Sequence, residues 1–320
     1  MGNQVKRVAC RCVAAILALS AGLTPASAEE AAAPERPQVF APAGGVELWM
    51  STDSDKTDVV KLLGRALWSF KGPDEYKGID LETARYSPQG QHSRKQERVY
   101  LDLADRLGPK WRWRARIGTN GHTVLGSATL RASDWSKEFF VERDIVETPR
   151  GVDEGLYYTF VGASFDFPAG GHDVFNAMGG FQKFTGRNER LHLRGSYVHV
   201  IKSALGLSAQ IRGRYYHSTV PGEFDYYSPR DFAHILPVVQ MRRFGGSGWM
   251  YLVALGYGAQ KATGSQWRAA RLADLRIESP VSSHRLQAFG QVQYSNTSLS
   301  GGGGDYHYVM ARVGLTLRVN

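Results

Sequence analysis

Residues 110–118 read KWRWRARIG, and their two-residue alternation bears directly on the fold class. Apolar residues occupy the odd positions 111 to 117, whereas the even positions hold Arg112, Arg114 and Arg116. Successive side chains leave a β-strand on opposite sides, so the pattern predicts a strand with one apolar and one cationic face. A soluble sandwich would place the arginines outside, whereas a membrane barrel would turn them toward a water-filled interior. The stretch alone fits both.

The first 28 residues predict a secretory signal peptide. Three basic residues precede position 12, an apolar run covers 13–23, and small residues at 26–28 form a cleavage site. The apolar run is shorter than the roughly 20 residues that a membrane-spanning helix needs. Removal after Ala28 takes away both cysteines, Cys10 and Cys12, which excludes a disulfide scaffold and a thiolate metal site in the exported protein.

The exported chain is long enough for one large barrel, and its charge is modest. Loss of the three basic residues of the signal lowers the formal net charge from +9 to +6, and export argues against a nucleic-acid partner. Residues 29–45 are rich in Ala and Pro without periodicity, which predicts a flexible leader. No later stretch is long enough for a membrane-spanning helix, so insertion into a membrane would require a closed sheet.

From residue 46 onward, alternating segments of about ten residues are separated by clusters of Gly, Asp, Asn, Ser or Pro. The apolar positions are diluted with Gly and Ala and have Trp or Tyr near the segment ends, as in the lipid-facing band and aromatic girdles of outer-membrane barrels. The sequence therefore predicts an all-β fold over 46–320: a transmembrane antiparallel up-and-down barrel of about 16 strands, with 14 or 12 strands and a plug as alternatives. Candidate girdle residues are Trp49, Trp68, Trp111, Trp249, Tyr251 and Tyr306.

Three stretches resemble a known family: FVERDIVETPRGVDEGLYYT at 140–159, FDYYSPRDFAHILPVVQMRR at 224–243, and the tail with LQAFGQVQYSN and YHYVMARVGLTL. They are similar to the barrel domain of bacterial porins that export exopolysaccharides such as cellulose and poly-N-acetylglucosamine. The resemblance implies an outer-membrane location in a Gram-negative bacterium and export of a neutral or weakly charged polysaccharide chain. It implies outer-membrane lipid and the barrel-assembly machinery as further partners. Because only a short leader precedes the barrel, docking to a synthase complex would use a separate periplasmic helical-repeat protein or be absent.

A polysaccharide conduit needs many weak hydroxyl-binding groups, because a chain that bound tightly at one site would not move. Guanidinium, amide and aromatic groups suit this purpose, although the arginines could instead pair with carboxylates across strands. The loop around Tyr226 and Tyr227 could fold inward as a constriction or sugar platform, or pack as an external cap. The residues expected to line the lumen and contact a glycan are Arg112, Arg114, Arg116, Arg194, Gln210, Arg212, Arg214, Tyr226, Tyr227, Arg242, Arg285, Gln287, Gln291 and Gln293.

Two other functions fit a barrel. An enzyme acting on lipid A or phospholipid could use a serine activated by histidine, but His217 and Ser218 are adjacent and would point to opposite faces of a strand. The carboxylates of 142–147 could serve a hydrolase, although an internal ladder of ion pairs is favoured. The other function is that of a general anion-preferring porin. No catalytic activity, cofactor or metal is expected.

Overall fold

The computed structural model describes residues 41–54, 56–280, 285–296 and 307–319. Its strands form one closed antiparallel barrel in which each strand pairs with its sequence neighbours and the first strand pairs with the last. The predicted fold class and strand number are confirmed. The strands are β1 (Ala41–Asp53), β2 (Asp58–Gly72), β3 (Glu75–Ser87), β4 (Arg94–Leu107), β5 (Trp111–Thr119), β6 (Val124–Ala132), β7 (Lys137–Ile145), β8 (Tyr157–Pro168), β9 (Asp173–Phe184), β10 (Glu189–Lys202), β11 (Leu207–Ser218), β12 (Asp231–Phe244), β13 (Met250–Ala262), β14 (Arg268–Glu278), β15 (Leu286–Ser295) and β16 (Tyr308–Arg318).

The strand β5 has its arginines on the inside of the barrel. Arg112 contacts Asp74 in the β2–β3 turn, and Arg116 reaches Asp80 on β3, a strand that is not adjacent to β5. A contact between non-adjacent strands crosses the interior of a closed sheet, so this face is the inner one. The apolar residues of β5 point the other way, and Ile117 is 54% exposed on the outer face.

The outer face carries an apolar belt around the whole barrel. Large aliphatic and aromatic side chains are exposed there on nearly every strand, among them Leu81, Val161, Leu193, Ile211 and Leu255. A closed barrel with such a belt satisfies its backbone hydrogen bonds internally and presents apolar atoms to lipid, which is the arrangement of outer-membrane proteins.

A cation placed in this belt is expected to destabilise the barrel. Ile211 is 49% exposed in the middle of β11. The substitution Ile211→Arg should lower the unfolding free energy of the barrel in lipid vesicles by about 2–4 kcal/mol. Gln210→Arg, the matched change at the adjacent inward position, should cost clearly less because its side chain faces the interior. Equal losses in urea unfolding would contradict the assignment of the two faces.

The two ends of the barrel differ in the length of their connections. We call one end the long-loop end, because it carries the connections 146–156, 219–230 and 296–307. We call the other end the short-turn end, because it carries turns such as 73–74 and 108–110. β1 also starts at the short-turn end. In outer-membrane barrels the short turns face the periplasm and the long loops face outward. The predicted signal peptide and most of the predicted leader lie outside the described residues. β1 begins at Ala41 rather than 46, because residues 43–45 pair with both β16 and β2.

The aromatic girdle prediction is wrong for one residue. Trp68, Trp111 and Tyr251 lie on the outer face near the short-turn end, and Trp249 lies in the adjoining β12–β13 turn. Trp49 points inward instead, where the Lys61 ammonium lies 4.7 Å from the centroid of its ring. The strand parity of β1 sets this, since Trp49 pairs with the inward Arg312. Tyr306 lies outside the described residues.

Among the described residues, the strands are interrupted by one short α-helix and by a 3-10 turn at Ser203–Leu205. The helix α1 (Pro149–Glu154) begins after Thr148, whose side chain accepts a hydrogen bond from the Gly151 amide, and it ends at Gly155 in the left-handed conformation with φ of 69°. An N-cap threonine followed by proline and a C-terminal glycine is a helix signal in the sequence itself. Within the described ranges, no helix has the length and apolarity needed to cross a membrane.

Candidate functional site: the barrel interior and its mouth

The inner wall formed by β2 to β5 is a network of paired charges. Asp80 and Asp102 have fully buried side chains, and Arg65 donates to both of them at 2.8 and 3.1 Å. Asp102 also accepts from Arg114 at 2.9 Å, and Asp80 from Arg116 at 3.2 Å. On this wall the arginines are therefore neutralised by cross-strand carboxylates, which was the alternative interpretation of the sequence.

The network crosses the barrel to the segment 142–147. Arg98 on β4 pairs with Glu82 at 3.1 Å and with Asp144 on β7 at 3.3 Å, while Lys61 pairs with Glu147. Glu142 accepts from the Tyr158 hydroxyl. The carboxylates of this segment thus serve as acceptors in an internal network, and the ion-pair interpretation is confirmed.

The opposite wall, formed by β9 to β13, has no such neutralisation. Its inward positions are the even-numbered ones, and they carry no carboxylate in any of these five fully described strands. Arg194 and Arg214 are direct cross-strand partners, and both face the interior. Arg212 donates to the Gln210 amide oxygen at 2.9 Å and to that of Gln240 at 3.2 Å.

The remaining predicted lumen residues lie on the wall closed by β14 to β16 or near the short-turn end. Gln287, Gln291 and Gln293 face inward, and Gln291 donates to Asp274 at 2.9 Å. Arg242 is inward and exposed near the short-turn end of β12, and Arg285 is exposed just before β15. Contact of any of these residues with a glycan remains a prediction.

The sequence interpretation missed an apolar patch and a buried arginine on the inner face. Leu236, Val238, Ala254 and Ala270 pack together inside the wall of β12 to β14, although a uniformly polar lumen was expected. Arg190 is buried and was not among the predicted residues. The patch residues and Arg190 occupy even positions, as do the inward Arg194 and Arg242. Counting every second residue along the strands from Arg194 and Arg242 would therefore have identified them as inward.

Two connections fold into the mouth at the long-loop end. We call these connections, residues 146–156 and 219–230, the mouth cap. Asp225 joins them, because it accepts from the Thr148 hydroxyl at 2.6 Å and from the Arg150 amide at 2.9 Å. Arg94 ties the cap to β4 with two hydrogen bonds to Asp153, at 2.6 and 2.5 Å, which keep the pKa of that carboxyl below its ordinary value.

Tyr226 and Tyr227 lie where the cap meets the inner wall. The Tyr226 ring stacks on the inward Phe184 at 4.4 Å between centroids, and its hydroxyl accepts from the Asn188 amide at 3.0 Å. The Tyr227 carbonyl accepts from Arg190 at 2.8 Å. The loop therefore packs against the inner wall, and its role as a constriction or a sugar platform stays a prediction. Beside it, a cavity of about 260 Å³ extends from Tyr226 across to residues of β1 and β16.

His217 and Ser218 do not form a catalytic pair. The His217 ring contacts Asp231 on the outer face at 2.8 Å, whereas the Ser218 hydroxyl accepts from Arg190 inside the barrel at 3.0 Å. The two side chains leave β11 on opposite sides, as the sequence predicts. Among the described residues, no cluster of His, Cys, Asp and Glu could hold a metal ion.

Comparisons with known proteins agree with the barrel fold. A solved structure described as a bacterial polysaccharide outer membrane secretin is similar to the chain with a TM-score of 0.59 and 12% sequence identity, and the match covers 87% of this chain and 98% of that one. The outer membrane protein OprD from Pseudomonas aeruginosa is similar with a TM-score of 0.43 and 9% identity, over 88% of this chain and 94% of that one. No protein-family model matches the sequence, and no curated protein matches it.

The closed barrel, its apolar outer belt and its polar interior together define the chain as a transmembrane β-barrel of the outer-membrane type. The resemblance to exopolysaccharide export porins that the sequence indicates is confirmed for the barrel fold.

Proposed function

We propose that this barrel is the outer-membrane conduit through which an exopolysaccharide leaves the periplasm. The observation that carries the proposal is the row of inward guanidinium and amide groups on β10 and β11, next to the cavity that Arg190, Tyr226 and Tyr227 line. Barrels of 16 strands are wide enough to keep an aqueous channel, and many weak contacts allow a sugar chain to slide. The similar structure described as a polysaccharide secretin supports the choice of cargo.

The proposal assigns no reaction to the chain, because a conduit needs none. Its partners are the polysaccharide, outer-membrane lipid, the barrel-assembly machinery during insertion and, on the periplasmic side, a helical-repeat protein of a synthase complex. The predicted cleavage near Ala28 and the placement of the leader belong to the same proposal.

Block of ionic current by sugars tests the conduit. Soluble oligosaccharides added to a planar bilayer containing the barrel should interrupt the current, with residence times that lengthen as the oligosaccharide is extended. Removing the side chains of Tyr226 and Tyr227 together should shorten these events at the mouth, whereas Tyr251→Ala on the outer face should not. Indifference to every oligosaccharide would contradict the proposal.

A general anion-preferring porin is the second candidate. It is favoured by the arginines on β10 and β11, which lack carboxylate partners within those strands and their neighbours. This function predicts anion selectivity in salt gradients without any interruption of current by sugars, so the same recordings separate the two.

A further inference from the structure

The arginines of β10 and β11 form a column along the barrel axis. From the long-loop end, Arg190 comes first, Arg194 and Arg214 follow as a direct cross-strand pair, and Arg212 lies one inward position further on. The register places the backbone positions of the first and last of these residues about 20 Å apart along the strand direction. We call these four residues the arginine column.

The positive charge of the arginine column has no hydrogen-bonded carboxylate partner, because the contacts that the structure gives for these side chains are to neutral groups. Arg190 donates to the Ser218 hydroxyl and the Tyr227 carbonyl, and Arg212 donates to two amide oxygens. Arg214 lies 5.4 Å from the Tyr216 ring centroid, and its buried Nε has no hydrogen-bond partner in the protein. The carboxylate of Asp274 on β14 attracts Arg212 electrostatically. The same carboxylate also accepts a hydrogen bond from the Gln291 amide.

Placing Arg194 directly opposite Arg214 costs stability, since like charges on facing strands repel. The wall of β2 to β5 avoids such a cost by alternating arginines with Asp80, Glu82 and Asp102. The chain therefore has a neutralised wall and an unneutralised one in the same barrel. The unneutralised wall leads to the mouth, where Arg190 lines the cavity together with Tyr226 and Tyr227.

We infer that the cargo is an acidic glycan, whose carboxylate or phosphate groups move along the arginine column. The inference rests on the proposed conduit function and changes the expected cargo from a neutral or weakly charged polymer to an anionic one. Guanidinium groups match both anions in geometry, and a row of them, of which Arg194 is exposed and Arg212 and Arg214 are half-buried, lets the charge pass from one to the next without a deep trap. Water in the lumen keeps each contact weak.

The test compares oligosaccharides of equal length in planar-bilayer recordings of the full barrel. The probes are oligogalacturonate for carboxylates, a phosphorylated oligomannose for phosphates, and a cello-oligosaccharide as the neutral sugar. At least one acidic probe should block at lower concentration than the neutral one, and added salt should weaken only the acidic block. Of the two acidic probes, the one that blocks at the lower concentration identifies whether the cargo carries carboxylate or phosphate groups.

The double variant Arg212→Gln and Arg214→Gln should weaken the acidic block by about tenfold and leave the neutral block unchanged. The matched control, Arg243→Gln with Arg271→Gln, removes two charges from the outer face of β12 and β14. Heat-modifiable migration in gels checks folding, and Arg194→Gln alone serves if the double variant does not fold.

The possible results distinguish a failure of the acidic-cargo inference from a failure of the proposed conduit function. If the neutral sugar blocks as well as the acidic ones, or if the double variant leaves the acidic block unchanged, the acidic cargo is wrong and the conduit stands. If no oligosaccharide blocks the wild-type barrel, the conduit itself fails, and the inference fails with it.

Discussion

Replacing residues 221–228 with two glycines is expected to raise the single-channel conductance several-fold. This segment contains Asp225, which joins the two halves of the mouth cap, and Tyr226, which stacks on Phe184 inside the barrel. Its loss removes Tyr226 and Tyr227, which line the cavity of about 260 Å³ at the mouth, while no barrel strand is altered. The measurement is the conductance in planar bilayers, with folding checked by heat-modifiable migration.

The control for this change is Asp134→Ala at the short-turn end, where the carboxylate bonds only within its own turn to Ser136. It removes an acidic loop residue without touching the mouth cap and should leave the conductance at the wild-type value. A folded loop variant with unchanged conductance would show that the narrowest point lies elsewhere in the lumen.

Asp102→Asn is expected to lower the unfolding free energy by about 3–5 kcal/mol, because it removes one partner from a buried network of charges. The fully buried carboxylate accepts from Arg65, Arg114 and the Tyr76 hydroxyl, and an amide cannot neutralise the two guanidinium groups. Urea unfolding in lipid vesicles measures the loss.

Glu97→Gln is the matched control on the same strand, because Glu97 is exposed and pairs only with Lys95. An exposed ion pair contributes little to stability because solvent screens it, so this variant should unfold near the wild-type urea concentration. If Asp102→Asn cost no more than the control, the buried network would not be what stiffens this wall.

The strands could be predicted from sequence because their signal is local. The alternation at 111–119 depends only on which side each residue leaves the strand, and β5 has the predicted bounds. The presence of an aromatic residue was a weaker guide to its position. Trp49 is of a residue type common in girdles, yet its place in the alternation of β1 turns it inward.

The site was harder to predict because its contacts join residues far apart in the chain. Whether an inward arginine is neutralised depends on strands that pair beside it, so Arg114 and Arg214 look alike in sequence but differ in their partners. Predicting the mouth cap would have required knowing that Thr148 contacts Asp225. The alternation of polar and apolar residues carries no information about such a contact between two loops. The N-cap signal at Thr148 and Pro149 was available, yet it indicates a helix and not its place in the lumen.

The pairing of β1 with β16 joins the first and last strands of the barrel, so the sheet cannot close before both are present. Residues 43–53 find their second partner only when 308–318 have been delivered, so the growing sheet keeps two unpaired edges until the end. Such edges invite pairing with other chains, and the last-made segment therefore ends the period in which the nascent protein is prone to aggregate. A chain stopped before residue 308 would stay an open sheet for as long as it survived.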